Sequence, residues 1–229
     1  MLNVIQPFSN FLIYQDYYPE RVYAMNDKYT YRLENESDYF ETENLTREAF
    51  WDVYKPGCSE HLVVRNMRKA ACYIGELSYV CETQSKKIVG AIYCSETIIL
   101  DEDKRHTVMC VGPIGVLPEY QKKGIGLRLL ELSLVRAKEL GYACAVLFGN
   151  PDYYRKAGFT DAARFGIHLA DGSDMDAFMC RPLDVQKLGL IKGRNREDPV
   201  FFPDDAELAE YEKQFPLKEK HKLPGQIFD

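Results

Sequence analysis

The 229-residue chain reads as a mixed α/β protein (α+β), and three observations carry that reading. Strand-length apolar runs alternate with amphipathic helical stretches from residue 29 to residue 183. An apolar strand ending at Val116 passes through Pro118 and a polar bend into Gly124, Gly126 and a helix. Finally, 46% of the residues are apolar, enough for one substantial core with an appendage.

Taken in order, Tyr29 to Leu33 alternates as a first strand. Asp38 to Trp51 forms a first helix with Asn35 and Ser37 as caps, and the loop Tyr54-Lys55-Pro56-Gly57-Cys58-Ser59 breaks it. A second helix follows from Glu60 to Lys69 on the apolar positions Leu62, Val63 and Met67. Leu77–Glu82 and Ile88–Leu100 read as an antiparallel pair across the polar turn 83–87. The turn Asp101–Lys104 leads into a fourth strand, His106–Val116. In the next helix Ile125, Leu129, Leu132 and Val135 recur on one face, and Gly141 supplies the stop. A strand over 143–149, a short helix over 151–157 and strands near 163–169 and 176–182 complete the series.

The bend before the third helix has the makings of an anion cradle. Glycine lacks a Cβ, so a phosphate can approach the backbone closely at Gly124 and Gly126. The first N–H groups of the helix, at Ile125, Gly126 and Leu127, have no internal partner, and the helix dipole favours negative charge there. Lys122 and Lys123 add positive charge at the same end. Neither G-x-G-x-x-G nor G-x-x-x-x-G-K-[ST] is present, since Leu129 stands where a third glycine would be needed.

A second element follows about two dozen residues on: Asn150-Pro151-Asp152-Tyr153-Tyr154-Arg155-Lys156-Ala157-Gly158-Phe159. Together the two segments resemble the GNAT superfamily of acyl-CoA-dependent N-acyltransferases. Gln121, Gly124 and Gly126 match its [QR]-x-x-G-x-[GA] loop, and Tyr154, Gly158 and Phe159 match its Tyr-x-x-x-Gly-Phe. The likeness is specific over 106–160 and extends more loosely from Tyr29 to Leu183. It implies the GNAT fold: a mixed, mostly antiparallel sheet splayed between strands 4 and 5, with helices on both faces. The domains are then an N-terminal extension (1–28), an acyltransferase domain (29–183) and a C-terminal tail (184–229).

The resemblance also implies acetyl-CoA as acyl-donor substrate, no metal, and an amine acceptor that is a small molecule or a peptide. Gly112-Pro113 in the fourth strand signals a bulge, because proline has no N–H for the ladder. In this fold the bulge opens a wedge for the thioester and pantetheine, to which Ile114, Gly115 and Val116 would offer backbone. Gln121, Lys122, Lys123 and the helix start would hold the pyrophosphate, and Asn150 the pantetheine arm. Tyr153 packs against the pantetheine or the core, and Tyr154 matches the tyrosine that protonates the departing thiolate. The general base is not transferred; Glu60 and His61 beside the Pro-Gly loop, and Glu96 on the third strand, are the candidates. A catalytically inactive acyl-CoA-binding sensor or partner-binding module is the alternative, because fold and loop alone do not establish turnover.

Composition narrows the setting. A net charge of −6 without a basic stripe argues against nucleic-acid binding. Neither a signal peptide nor a membrane-length apolar run is evident, and seven cysteines without a C-x-x-C pair read as reduced structural thiols; a cytoplasmic protein is expected. The four histidines are scattered and read as surface or rim residues. In the tail, Pro203 and Asp204 start a helix whose Leu208, Tyr211 and Phe215 recur at helical spacing before Pro216. Such aromatic density predicts docking on the domain or on a neighbouring subunit, which leaves a homodimer open, with a role in walling the acceptor pocket. Residues 218–222 read as a solvated run.

Overall fold

The computed structural model describes residues 28–226; the N-terminal extension, apart from Lys28, lies outside them. The elements are β1 (Tyr29–Leu33), α1 (Tyr39–Phe50), α2 (Glu60–Met67), β2 (Tyr79–Thr83), β3 (Ile88–Asp101) and β4 (Lys104–Val116). There follow α3 (Ile125–Glu139), β5 (Cys144–Phe148), α4 (Pro151–Tyr154), β6 (Thr160–Asp161), β7 (Ile167–His168) and β8 (Phe178–Pro182). The chain continues with α5 (Val185–Leu188), β9 (Gly193–Arg196) and α6 (Asp205–Tyr211). Across the sheet the order is β1-β2-β3-β4-β5-β8-β6, with β9 along β3 and β7 beside β9. The β4–β5 and β7–β9 pairs are parallel and the others antiparallel.

Helices cover both faces, and two glycines show how closely. A Cβ at Gly115 would meet Leu45 and Ala49 of α1, whereas one at Gly90 would meet Ile125 and Leu129 of α3. Gly115 pairs with Ala91, the neighbour of Gly90, so the two contacts lie on opposite faces. The α3 face differs from the sequence expectation. Ile125 and Leu129 are buried, but Val135 is 51% exposed and Leu132 only half-buried. The inward stripe is instead Ile125, Gly126, Leu129, Leu130, Ser133, Leu134 and Ala137. Small residues on that stripe let the helix backbone approach the sheet, and the Ser133 hydroxyl donates to the Leu77 carbonyl at 2.7 Å.

The strand expected over 163–169 does not form as such. Ala162–Phe165 is a 3-10 turn ended by Gly166 at φ +71, a left-handed conformation natural to glycine. Only Ile167 and His168 are extended, and they pair with β9, which the sequence reading did not anticipate. β9 also runs along the outer half of β3, pairing Arg194, Asn195 and Arg196 with Leu100, Ile99 and Ile98. Gly193 makes the approach possible, since a Cβ there would sit 2.2 Å from the Leu100 carbonyl oxygen.

Beneath the sheet, α1 and α2 enclose a charged cluster. Arg68, 3% exposed, bridges Glu34 at 2.7 Å and Glu43 at 2.5 Å, and its guanidinium lies 4.0 Å from the Tyr39 ring centre. Tyr93 donates to Glu34 at 3.1 Å, and Tyr211 of α6 donates to Glu43. Glu212 accepts from the buried Arg47 guanidinium at 2.9 Å, and Phe215 stacks on Phe40 at 5.3 Å. The segment after α5 thus adds partners to the buried groups Glu43 and Arg47 of α1.

Candidate active site

β4 carries one extra residue where Gly112 and Pro113 stand. Ile92 opposes Ile114 while Cys94 opposes Val111, so two residues of β4 face one of β3 at this bulge. On its other edge β4 pairs with β5 only at Met109–Ala145 and Cys110–Val146. Beyond those pairs the two strands part, and β4 runs on to Val116. Leu117 N–H bonds to Val89 on β3; by antiparallel alternation Gly115 also addresses β3, while Ile114 and Val116 turn their backbone groups toward the gap. The Gln121 amide reaches that edge, donating to the Val116 carbonyl at 3.1 Å.

At the end of the gap lies the start of α3. Gly124 takes φ +83 as its N-cap, with no side chain capping the helix and nothing within 4 Å of where its Cβ would be. Lys122 is also left-handed at φ +59. Lys123 is tied back, donating to the Glu119 carbonyl at 2.7 Å and lying 4.8 Å from the Tyr120 ring centre. A Cβ on Gly126 would stand 2.6 Å from the Tyr153 hydroxyl and 3.7 Å from both Ile114 and Val116 side chains. The structure therefore brings Ile114, Val116, Gly126 and Tyr153 together, joining the strand edge, the helix start and α4.

α4 begins at Asn150, whose side-chain oxygen caps it by accepting from Asp152 N–H at 2.9 Å. Only the Asn150 amide NH₂ remains to donate to a ligand. The Tyr154 ring packs over Gly149, where a Cβ would lie 2.2 Å from it, and edge-on to Tyr153 and Phe159. Burial pushes the Tyr154 phenol above its ordinary value, helped by the neighbouring hydroxyls of Tyr54 and Tyr153. At neutral pH Tyr154 is therefore fully protonated.

Sequence and fold comparisons agree with this geometry. A family model described as acetyltransferase (GNAT) domain matches residues 75–161. An uncharacterized N-acetyltransferase of Escherichia coli K12, YhbS, is 26% identical over 117 residues, covering 51% of this chain and 69% of that one. Residues 75–161 of the chain form a GNAT acetyltransferase domain. The crystal structure of Escherichia coli YhbS in complex with CoA superposes with a TM-score of 0.68 at 21% identity, covering 77% of this chain and 93% of that one. A GNAT family acetyltransferase from Brucella melitensis in complex with acetyl-CoA gives a TM-score of 0.59 at 25% identity, with 76% and 97% covered. This GNAT chain is accordingly an acyltransferase with the fold of those neighbours. Among its described residues no helix is long and apolar enough to cross a membrane, and no cluster of His, Cys, Asp and Glu suits a metal ion.

The three candidate bases fall in different places. Tyr142, just past the C-terminus of α3, donates to Glu96 at 2.8 Å. α3 is 15 residues long, about 22 Å at 1.5 Å per residue, so Glu96 sits at the end remote from the cradle. His61 is not a rim residue but fully buried. Its ring stacks on Tyr211 at 5.4 Å, meets Phe215 edge-on, and has Nε2 2.8 Å from Glu212, a contact poorly aligned for a hydrogen bond. Burial lowers its pKa to about 4; Glu212 opposes the shift and Arg47 adds to it. Glu60 begins α2 and accepts from Ser59 N–H at 2.9 Å, and burial pushes its carboxyl up. Burial raises the phenol of Tyr54 in the α1–α2 loop, and Glu60 adds to the shift. Tyr54 is 36% exposed, and an aromatic in a Pro-Gly loop carries no periodic signal that sequence reasoning could have used. A separate cleft of about 470 Å³, lined by Trp51, Leu208, Pro216 and Lys218, opens on the α1 face, away from α3 and the cradle.

Proposed function

We propose that this GNAT protein transfers an acetyl group from acetyl-CoA to a primary amine by direct attack in a ternary complex. The observation that carries the reading is the gap between β4 and β5, which has along it the strand edge at Ile114 and Val116 that β5 leaves unpaired, the α3 start at one end, and the Tyr154 ring on Gly149, next after β5. Gly124, Gly126, Lys122 and the free N–H groups of Ile125 and Leu127 would take the pyrophosphate. The strand edge from Ile114 through Gly115 to Val116 would pair with pantetheine, aided by the Asn150 amide and flanked by Tyr153.

Attack places negative charge on the thioester oxygen, which fixed N–H donors stabilise; losing one such donor costs about 3–4 kcal/mol. The backbone at the β4 bulge is the nearest supplier. Tyr154, protonated and beside the gap, donates to the thiolate as it leaves, a role worth about 10²–10⁴ in rate. The geometry favours Glu60 among the base candidates, because His61 is sealed under Tyr211 and Phe215 and Glu96 is remote. The seven unpaired cysteines suit a cytoplasmic setting.

Release of free thiol from acetyl-CoA with spermidine, tyramine, kanamycin and an alanyl peptide tests the reading. Amine-dependent release supports it. Binding of acetyl-CoA without release from any acceptor would instead leave a cofactor-binding module.

A further inference from the structure

The loop between α1 and α2 is held from outside. Asp52 has φ +58, a left-handed conformation that aspartate tolerates better than most residues. Within the loop, Asp52 N–H bonds to the Gly57 carbonyl at 2.9 Å and Gly57 N–H to Asp52 Oδ1 at 2.7 Å. The remaining acceptors of Asp52 are all taken by the C-terminal segment. His221 N–H donates to Oδ1 at 3.1 Å, His221 Nδ1 lies 2.9 Å from Oδ2, and the Gln226 amide donates to the Asp52 carbonyl at 2.9 Å.

Two further contacts fix the start of the same stretch. Trp51 Nε1–H donates to the Glu219 carbonyl at 2.8 Å, and Lys218 reaches Glu48 at 2.6 Å. The Lys220 side chain crosses Gly57 so closely that a Cβ there would stand 2.9 Å from it. The run 218–222 is solvent-exposed, as expected, and is at the same time pinned to the loop by these contacts. Two residues beyond Asp52 the same loop carries Tyr54, whose ring lies 6.1 Å from that of Phe50, and it leads directly into Glu60 at the start of α2. Holding Asp52 thus holds the segment between Phe50 and Glu60.

We propose that residues 218–226 form a strap that fixes the α1–α2 loop, with Asp52 and His221 as positioning residues for the segment that leads into Glu60, the base that would receive the acceptor amine's proton. The acceptor part rests on the acetyl-transfer reading above; the holding of the loop does not. Neither residue touches the cradle, so the strap acts on the amine and leaves acetyl-CoA binding alone.

The test compares the full chain with His221→Ala, with His221→Asn and with a chain ending at Leu217. Hydrogen exchange at the Asp52 and Gly57 amides, measured without ligand, is expected to speed up by about tenfold in the alanine variant and more in the shortened chain. Asparagine places an N–H donor near the position of Nδ1 and should restore most of the protection. With whichever amine of the panel turns over, KM for the amine should rise by about fivefold in His221→Ala while KM for acetyl-CoA stays within about twofold. Unchanged exchange overturns the strap. Faster exchange with an unchanged amine KM overturns its role in acceptor positioning. If no amine turns over in the parent chain, the acetyl-transfer reading falls and takes the acceptor part with it, while exchange still decides whether the strap holds the loop.

Discussion

Acidification should unlock the C-terminal segment through one residue, His61. In the unfolded chain its imidazole takes a proton below about pH 6.5. In the folded chain it resists until about pH 4, because the ring is fully buried between Tyr211, Phe215 and Leu62, and the nearby Arg47 adds to the cost of charging it. Glu212 at 2.8 Å opposes this and does not win. The folded pKa lies below the unfolded one, so the stabilisation is complete above 6.5 and is lost as pH falls toward 4. Each pH unit in that interval is worth about 1.4 kcal/mol, giving about 3 kcal/mol from this residue. Urea unfolding at several pH values should show the parent losing that much more stability between neutral pH and pH 4 than His61→Gln, whatever their absolute stabilities. Equal losses in the two proteins would refute the buried, neutral imidazole.

Three other outcomes follow from the cradle and from Tyr154. Gly124→Val should cut acetyl-CoA affinity, and with it the rise in melting temperature on adding acetyl-CoA, because a β-branched residue at φ +83 is strained by about 1–2 kcal/mol and its branch enters the open space above the helix start. A folded variant with undiminished affinity would remove Gly124 from the cradle. Tyr154→Phe should lower kcat with acetyl-CoA affinity within a few-fold, since a leaving-group proton matters in the transition state; an unchanged rate where chemistry limits turnover would reduce Tyr154 to packing. Gly149→Ala should impair turnover without touching a reacting atom, because its Cβ would displace the Tyr154 ring, and in the Tyr154→Phe background it should cost little more.

The sequence exposed those features that local chemistry dictates. Gly112-Pro113 betrays the β4 bulge because proline cannot donate to the ladder, and Gly124 betrays the helix start because few other residues accept φ +83. Features set by distant packing stayed hidden. The phase of α3 was misread because Val135 is apolar yet outward, while inward Gly126, Ser133 and Ala137 owe their place to size. β9 was missed because Gly-Arg-Asn-Arg has neither apolar alternation nor β-branched residues, and its pairing with β3 supplies what propensity does not. His61 looked solvated because the residues that bury it, Tyr211 and Phe215, arrive some 150 positions later.

The acceptor end of the site has the same origin, which explains why the amine is hard to read from the chain. As proposed, it would draw on the α1–α2 loop, on α4 and on the strap, each unremarkable alone. What they share is burial, and burial acts on the two proposed proton carriers in the same direction with opposite uses. It raises the Tyr154 phenol, keeping the proton on a group that must donate one. It also raises the Glu60 carboxyl, making a better base of a group that must accept one from an amine whose ordinary pKa is about 10. The desolvated surroundings thus favour the protonated phenol and strengthen the carboxylate as a base. The loop that leads into Glu60 is held by the proposed strap. Loosening that loop would admit water and shift both groups back toward their ordinary values. On this proposal the position of a C-terminal segment would be coupled to proton transfer at a site it does not touch.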